Sequence, residues 1–377
     1  MTPRARHVIC TAVLAALAAV PAVAAAAPII SMQDDRVWQV ANPASRVALM
    51  AKTGARAIRV DMRWDVVATR RPAAPTNPAD PAYDWRRYDA IVKAAKAKGL
   101  QVIFTVWGTP AWAADRSVPP PTNPAFQPYA IRPARPADYG DFGAAAAARY
   151  APQRVHRWEA WNEPNIPLFL RPQFARKGRR WVPASPATYS AMLKAFYAGV
   201  HKSDRRALVS GAVTAPAGDK CPFSCPDQAD DRMTPQDFIK ALGAKGLRPP
   251  MDAVSHHPYP LTTPRTTTPP GRTYVDLYNL GELQRVIDST YLRGKPLWLT
   301  EFGFATRATR EYPFHVTSGQ QAQFVRDAVK RVRKNRRVAV FTWYFLQDSP
   351  VWASGLLDQR GRPKPAYAVF RSLARRT

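Results

Sequence analysis

The chain has 377 residues, of which 46% are hydrophobic and 11% aromatic. That apolar content predicts a folded core and excludes a chain that is disordered throughout. Lys and Arg number 55 against 27 Asp and Glu, and the resulting net charge of +28 predicts attraction to anionic surfaces, unless it is only a basic background.

Residues 1–27 are predicted to be a cleavable export signal. Arg4 and Arg6 give a positive start, an apolar stretch follows from 8 to about 20, and small residues at 23–27 offer cleavage sites. The alternative, a membrane anchor, needs ~20 apolar residues, and this stretch is shorter. No later segment is apolar enough to span a bilayer. We therefore expect a secreted protein without stable membrane insertion, whose charge favours association with the cell wall.

After the signal, β-branched or aromatic runs alternate with Ala-rich helical stretches. This pattern predicts eight strands, at 29–32, 57–62, 101–106, 155–161, 207–213, 253–257, 297–302 and 338–345. It predicts eight helices, at 44–53, 85–98, 137–150, 186–203, 235–244, 276–293, 320–334 and 365–373. Eight successive βα units predict an α/β fold, a (β/α)8 TIM barrel, and we assign residues 28–377 to one such domain.

An open doubly wound sheet is the alternative fold. It usually has fewer units and often a Gly-rich phosphate loop, but neither G-x-G-x-x-G nor G-x-x-x-x-G-K follows a predicted strand. Long Pro-rich insertions at 72–81, 119–136 and 262–270 follow the C-terminal ends of strands, where a barrel builds its active site. Two basic runs lie at 176–180 and 330–337, and the second ends a predicted helix, where cations suit the helix dipole.

Two cysteines lie beyond the export signal. Cys221 and Cys225 are close together in a Pro-rich loop, and an oxidising compartment favours a local disulfide between them. A metal site is the alternative, but the surrounding sequence DKCPFSCPDQ contains no His and no second Cys pair. We expect no metal site and no cofactor.

Two glutamates fall at the C-terminal ends of predicted strands on opposite sides of the barrel mouth. Glu163 follows strand four in W-N-E-P-N, and Glu301 ends strand seven in T-E-F-G. Glycosidic cleavage needs such a pair, one carboxyl protonated and one ionised, and a separation of ~5–5.5 Å permits retention of configuration. Glu159, also near the end of strand four, is expected to be a solvated loop residue.

These two motifs together resemble the clan A glycoside hydrolases, retaining TIM-barrel enzymes with cellulase-like, β-mannanase-like and β-xylosidase-like families. The resemblance spans nearly the whole chain after the signal. It implies a hydrolase of oligo- or polysaccharides, with Glu163 as the acid/base and Glu301 as the nucleophile. Some cellulase-like families carry His after strand three, whereas residues 106–110 read V-W-G-T-P. That pattern is closer to β-xylosidase-like or arabinofuranosidase-like members.

The resemblance also implies supporting residues around the nucleophile. Asn162 resembles the Asn that contacts the substrate 2-hydroxyl. Arg59 resembles an Arg that keeps the nucleophile ionised, because a nearby cation favours the charged carboxylate. The alternative for Arg59 is a simple ion pair with Asp61 or Asp65.

Further residues are implied in the sugar site itself. Of two adjacent histidines, we expect His257 to line the sugar site and His256 to pack. Tyr259 is expected to hydrogen-bond the nucleophile. Trp343 resembles the platform Trp that ends strand eight, and Trp107 is either a sugar-stacking residue or part of the rim core.

Two other functions remain open at this point. A non-catalytic glycan-binding barrel at the cell surface is one, although such proteins typically lose a carboxylate and both are present here. A protein that binds nucleic acid through charge alone is the other, but the basic residues are scattered and no nucleic-acid motif appears. We expect a monomer whose partner is an oligo- or polysaccharide, acidic if the charge serves binding.

Overall fold

The computed structural model describes residues 27–120, 127–219, 229–262, 273–309 and 313–375. Its strands are β1 Ile29–Gln33, β2 Ala57–Arg63, β3 Gln101–Trp107, β4 Arg157–Ala160, β5 Phe174–Lys177, β6 Arg180–Pro183, β7 Leu208–Thr214, β8 Ala253–His256, β9 Leu297–Phe302 and β10 Val338–Tyr344. Eight of them close into a parallel barrel, in the order β1-β10-β9-β8-β7-β4-β3-β2. The predicted TIM barrel is confirmed, and all eight strands end at the same rim.

The α-helices surround this barrel and follow the strands in the chain. They are α1 Arg36–Gln39, α2 Pro43–Lys52, α3 Trp64–Val67, α4 Arg86–Ala97, α5 Pro136–Tyr150, α6 Ser185–Ser203, α7 Pro235–Leu242, α8 Leu280–Asp288, α9 Ser318–Lys334 and α10 Pro365–Ala374. Their apolar residues form one buried layer with the outward-facing strand side chains. The helix spacing of three to four residues produces that single apolar face.

Within the barrel, apolar and polar side chains occupy different levels. A small apolar cluster lies near the strand starts, formed by Ala57, Ile103, Ala253, Trp298 and Val340. Side chains alternate along a strand, so the position two residues beyond Ala57 faces the same interior. That position is Arg59, which is fully buried. The barrel therefore has an apolar base and a charged mouth.

Two departures from the predicted elements concern the loops. The loop after β4 contains an antiparallel hairpin, β5–β6, that was not predicted. The helix predicted at 276–293 is shorter, because the side chain of Asn279 accepts from the backbone N–H of Asp276 and turns the chain just before α8 begins. No helix among the described residues is long and apolar enough to cross a membrane. Cys221, Cys225 and residues 1–26 lie outside the described residues.

Candidate active site

Arg59 is the centre of the barrel mouth. Its side chain is completely buried, and each of its five N–H groups faces an acceptor. The acceptors are Glu159 Oε2, Gln33 Oε1 and Glu301 Oε1, each at 2.6 Å, Asn162 Oδ1 at 2.9 Å and His257 Nε2 at 3.5 Å. Two of the five are carboxylates, which compensate the buried positive charge. The guanidinium thus holds side chains from around the whole rim in one arrangement.

Glu159 is not the solvated loop residue that the sequence indicated. It is 0% exposed, and its Oε2 accepts from Arg59 and from the hydroxyl of Thr105 at 2.7 Å. Burial of a carboxylate is costly unless the charge is paired, and Arg59 supplies the pair. Asp61 lies 3.7 Å from Arg59, whereas Asp65 pairs with Arg63 instead. Glu159 therefore holds Arg59 in place, and Arg59 in turn contacts Glu301.

Both oxygens of the Glu301 carboxylate are held. Oε1 accepts from Arg59, and Oε2 accepts from the Tyr259 hydroxyl at 2.9 Å. The pKa of Glu301 is raised to about 7, mainly by burial and further by the negative charge of Asp35. The charge of Arg59 and the hydrogen bond from Tyr259 act in the opposite direction and lower this pKa. Glu301 is therefore ionised above neutral pH and fixed in orientation.

The loop that carries Glu163 has an unusual backbone. Trp161 and Glu163 have φ values of 73° and 39°, in the left-handed region that residues other than glycine rarely adopt. The loop is tied down by the fully buried Asn165, whose Oδ1 accepts from the N–H of Ala215 at 2.8 Å and whose Nδ2 donates to the carbonyl of Met233 at 2.9 Å. These contacts aim Glu163 into the barrel mouth.

His257 links Glu163 to the Arg59 centre. Because its Nε2 faces an N–H of Arg59, its proton belongs on Nδ1, which donates to Glu163 Oε1 at 2.8 Å. Burial lowers the pKa of His257 well below its usual value, and the charge of Arg59 lowers it further, so the ring is neutral. Burial raises the pKa of Glu163 well above its usual value, and the charge of Glu301 adds to this. One carboxyl of the pair thus keeps its proton while the other is ionised.

The two glutamates are close enough for direct chemistry on one substrate. Oxygen atoms of Glu163 and Glu301 and a ring nitrogen of His257 all lie within 4.8 Å of one another. Inverting glycosidases separate their carboxyls by about 6.5–9.5 Å to admit a water, and retaining enzymes by about 5–5.5 Å. The same three groups could approach a metal ion, but Arg59 and Tyr259 already occupy the oxygens of Glu301, and His257 Nδ1 carries its proton.

A cleft of about 360 Å³ opens above this pair. Tyr259, Tyr344 and Trp352 form an aromatic wall, with ring centroids 5.3 Å apart for Tyr259 and Trp352 and 5.6 Å apart for Tyr344 and Trp352. Aromatic rings of this kind present apolar faces on which the C–H faces of a sugar can pack. Asn162 directs its Oδ1 to Arg59, which leaves its Nδ2 without a hydrogen bond among the described residues.

The prediction that Trp343 forms the platform is wrong. Trp343 is 0% exposed, packs against Phe302 and Phe370, and donates its indole N–H to the carbonyl of Ser354 at 3.0 Å. Successive side chains along a strand point to opposite sides, so Trp343 faces the helices and the next residue faces the cleft. Tyr344 is that residue. The register was misjudged by one position.

Trp107 and His256 are enclosed rather than exposed to the cleft. Trp107 is 5% exposed, and the guanidinium of Arg63 lies 4.4 Å from its ring centroid. It belongs to the rim core and does not line the described cleft. His256 is fully buried between the Thr214 hydroxyl and the carbonyl of Val275, at 2.8 and 3.0 Å.

Two further carboxylates lie near Glu301: Asp35, which was not identified from the sequence, and Asp61, which was considered only as an ion-pair partner of Arg59. Asp35 accepts from the Tyr344 hydroxyl at 2.8 Å, and burial raises its pKa to about 7, with a contribution from the charge of Asp61. Burial raises the pKa of Asp61 to about 6, against the lowering effect of Arg59. Their positions at the ends of strands one and two were the available signal.

An eight-stranded parallel barrel with a carboxyl pair at its C-terminal rim is the arrangement that TIM-barrel glycoside hydrolases use. The family model named cellulase, glycosyl hydrolase family 5, matches residues 26–348. The chain belongs to this family. The resemblance to clan A glycoside hydrolases is thereby confirmed.

Solved structures with the same fold include three glycoside hydrolases. A family 39 enzyme from Bacteroides cellulosilyticus WH2 is 19% identical with a TM-score of 0.64, covering 93% of this chain and 64% of its own. A family 39 β-xylosidase from Caulobacter crescentus is 19% identical with a TM-score of 0.59, and the match covers 93% of this chain and 73% of that enzyme. A GH5_18 protein from Streptomyces cattleya is 15% identical with a TM-score of 0.59, and the match covers 94% of this chain and 81% of that protein. The chain thus spans less than two thirds of the first structure. No curated protein matches it.

Proposed function

We propose that the protein hydrolyses glycosidic bonds of oligo- or polysaccharides with retention of configuration, with Glu163 as acid/base and Glu301 as nucleophile. The observation that carries the proposal is the short distance between the two carboxyls, within 4.8 Å, combined with their opposite surroundings. Glu301 is held by a cation and a hydroxyl donor, whereas Glu163 has no cation in direct contact among the described residues.

The first half of the reaction forms a covalent intermediate. Glu163 donates its proton to the leaving glycosidic oxygen as the bond between that oxygen and the anomeric carbon breaks. Glu301 attacks the same carbon from the opposite face, and its carboxylate becomes a neutral glycosyl ester. The leaving sugar departs with a hydroxyl group.

The second half reverses the roles. Esterification removes the negative charge of Glu301, which had raised the pKa of Glu163, so Glu163 can now act as a base. The N–H of His257, 2.8 Å from Glu163, stabilises the carboxylate that remains. Glu163 takes a proton from water, the hydroxide oxygen attacks the anomeric carbon, and Glu301 leaves as a carboxylate. One water is consumed, and both glutamates return to their starting states.

The sugar and linkage are to be found with a panel. Solved structures with this fold include a β-xylosidase, an exo-β-1,4-mannosidase and a glucosidase, which makes aryl β-xylosides, β-mannosides and β-glucosides the first probes. Neutral and acidic polysaccharides complete the panel.

The experiment compares wild type with Glu163→Ala, Glu301→Ala and a control, Glu282→Ala, in the first turn of α8. Loss of the nucleophile is expected to lower kcat by a factor of at least about 10⁴, and loss of the acid/base by about 10² to 10⁴. Azide should rescue both variants, giving a product of retained configuration with Glu163→Ala and of inverted configuration with Glu301→Ala. Glu282→Ala should behave as wild type.

Two results contradict this proposal. One is turnover that survives both substitutions. The other is a glycan that wild type binds without cleaving and that all variants bind equally, which is the behaviour of a glycan-binding barrel.

We further propose that residues 1–27 are removed on export and that the protein acts outside the cell. The support is the basic start, apolar stretch and small-residue tract of this segment. N-terminal sequencing of protein from the culture medium tests it: a mature start near residue 28 is expected, and an intact N-terminus retained with cells contradicts it. The disulfide between Cys221 and Cys225 and the monomeric state stay predictions.

A further inference from the structure

The hairpin β5–β6 has a concentrated positive charge. Four cations fall within five residues at its tip, Arg176, Lys177, Arg179 and Arg180, and every residue from 175 to 180 is exposed. No Asp or Glu occurs between Glu163 and Asp204 in the sequence. The hairpin therefore projects positive charge without a local acidic counterpart.

These four cations differ from other arginines nearby. Arg171 forms an ion pair with Asp230 at 2.7 Å, and Arg232, which lines the cleft, pairs with Asp219 at 2.6 Å. Within the described ranges, none of the four hairpin cations lies within 4.0 Å of a carboxylate. Arg176 instead lies over the ring of the half-buried Trp181, 5.4 Å from its centroid. Their charge is therefore available to an outside partner.

The base of the hairpin is attached to the catalytic loop. Gln173, which is fully buried, donates from Nε2 to the carbonyl of Pro164 at 2.9 Å, and its own carbonyl accepts from the N–H of Ala184 at 2.8 Å. Pro164 directly follows Glu163, and Phe169 in the same loop lines the cleft. The base of the hairpin is therefore tied to the loop that borders the cleft.

We propose that the hairpin β5–β6 binds carboxylate groups of a uronate-bearing glycan and so holds an acidic polysaccharide beside the cleft. The inference rests on the proposed glycosidase and names its substrate class. Guanidinium groups suit carboxylates geometrically, and three of the four hairpin cations are arginines. Attachment to the loop of the sugar-cleaving site favours an acidic glycan over nucleic acid as the occupant.

The test compares two variants that each remove four charges. One is Arg176→Gln, Lys177→Gln, Arg179→Gln, Arg180→Gln. The control is Lys330→Gln, Arg331→Gln, Lys334→Gln, Arg336→Gln, whose four residues are exposed, lie at the opposite end of the barrel and form no ion pair among the described residues. Arg331 lies over Tyr278 at 4.9 Å, which matches Arg176 over Trp181. Thermal melting confirms that both variants fold.

Binding is measured by calorimetry with an oligogalacturonate, a neutral xylo-oligomer, a phosphate-bearing wall polymer and duplex DNA. The hairpin variant is expected to bind oligogalacturonate about 30-fold more weakly at low salt, because four exposed ionic contacts of modest strength are lost. The control should stay within about twofold of wild type. Added salt should weaken the wild type more than the hairpin variant. Binding of the neutral oligomer should not change.

Equal losses in the two variants would mean that bulk charge alone attracts the glycan, and would overturn the proposal. Equal hairpin-dependent binding of DNA or of the phosphate polymer would also overturn it, because the surface would then be a general anion site. Turnover of a small aryl glycoside separates the two proposals. If that turnover is absent while oligogalacturonate binding depends on the hairpin, the glycosidase proposal fails and the binding site stands.

Discussion

Tyr259→Phe removes one hydroxyl that holds the proposed nucleophile. The wild-type kcat/KM is expected to fall at low pH as Glu301 gains a proton, and at high pH as Glu163 loses one. The Tyr259 hydroxyl donates to Glu301 at 2.9 Å, and a hydrogen bond to a charged group contributes about 1.5–3 kcal/mol. One pKa unit corresponds to about 1.4 kcal/mol, so the pKa of Glu301 should rise from about 7 by roughly 1–2 units.

The assay is the pH profile of kcat/KM on the best aryl glycoside, in which the acidic limb should move upward by the same amount. Tyr344→Phe is the matched control, because that hydroxyl donates to Asp35 at 2.8 Å. Its loss should raise the pKa of Asp35, keep Asp35 neutral and remove a charge that raises the pKa of Glu301. The acidic limb should then move downward. An unmoved limb in Tyr259→Phe, or equal shifts in both variants, would refute the reasoning.

Substitutions at three further positions, with one control at Gly281, test other parts of the structure. Glu159→Gln should lower the free energy of unfolding by about 3–5 kcal/mol and reduce kcat, because Arg59 loses a buried charge partner; chemical denaturation checks this, and an unchanged midpoint contradicts it. Gly199→Ala should lower the free energy of unfolding by about 1–3 kcal/mol, because the added Cβ would lie 2.1 Å from the backbone oxygen of Gly140. Gly281→Ala is the control and should be neutral or stabilising, because the nearest atom to its Cβ is 3.8 Å away. Trp352→Ala should raise KM by about 3- to 10-fold with a smaller change in kcat, which steady-state kinetics would show.

The sequence was sufficient for the barrel because its signals are local and repeated. Strand runs and helical stretches alternate with their own periods, and the two glutamates each follow a strand in a recognisable motif. The contact of Tyr259 with Glu301 agrees with the position expected from the resemblance. These inferences needed only the order of residues near strand ends.

The remaining features depend on three-dimensional placement. Glu159 looks like a loop residue until Arg59, 100 residues away in the sequence, is placed beside it. Trp343 and Tyr344 exchange roles if the strand register shifts by one, and both are aromatic, so their types do not decide which faces inward. The β5–β6 hairpin is charged on both strands and lacks the alternation that identifies a half-buried strand.

The contacts of Arg59 also have a consequence for how the chain folds. Its acceptors Gln33, Glu159 and Glu301 are separated from it by 26, 100 and 242 positions. A buried cation without its partners is strongly unfavourable, and Glu301 lies on the seventh barrel strand, so Arg59 gains its full set of partners only when that strand is in place. Contacts between such distant segments also slow folding. During denaturation, the proposed catalytic centre and the closure of the barrel are therefore expected to be lost together, in a single cooperative step.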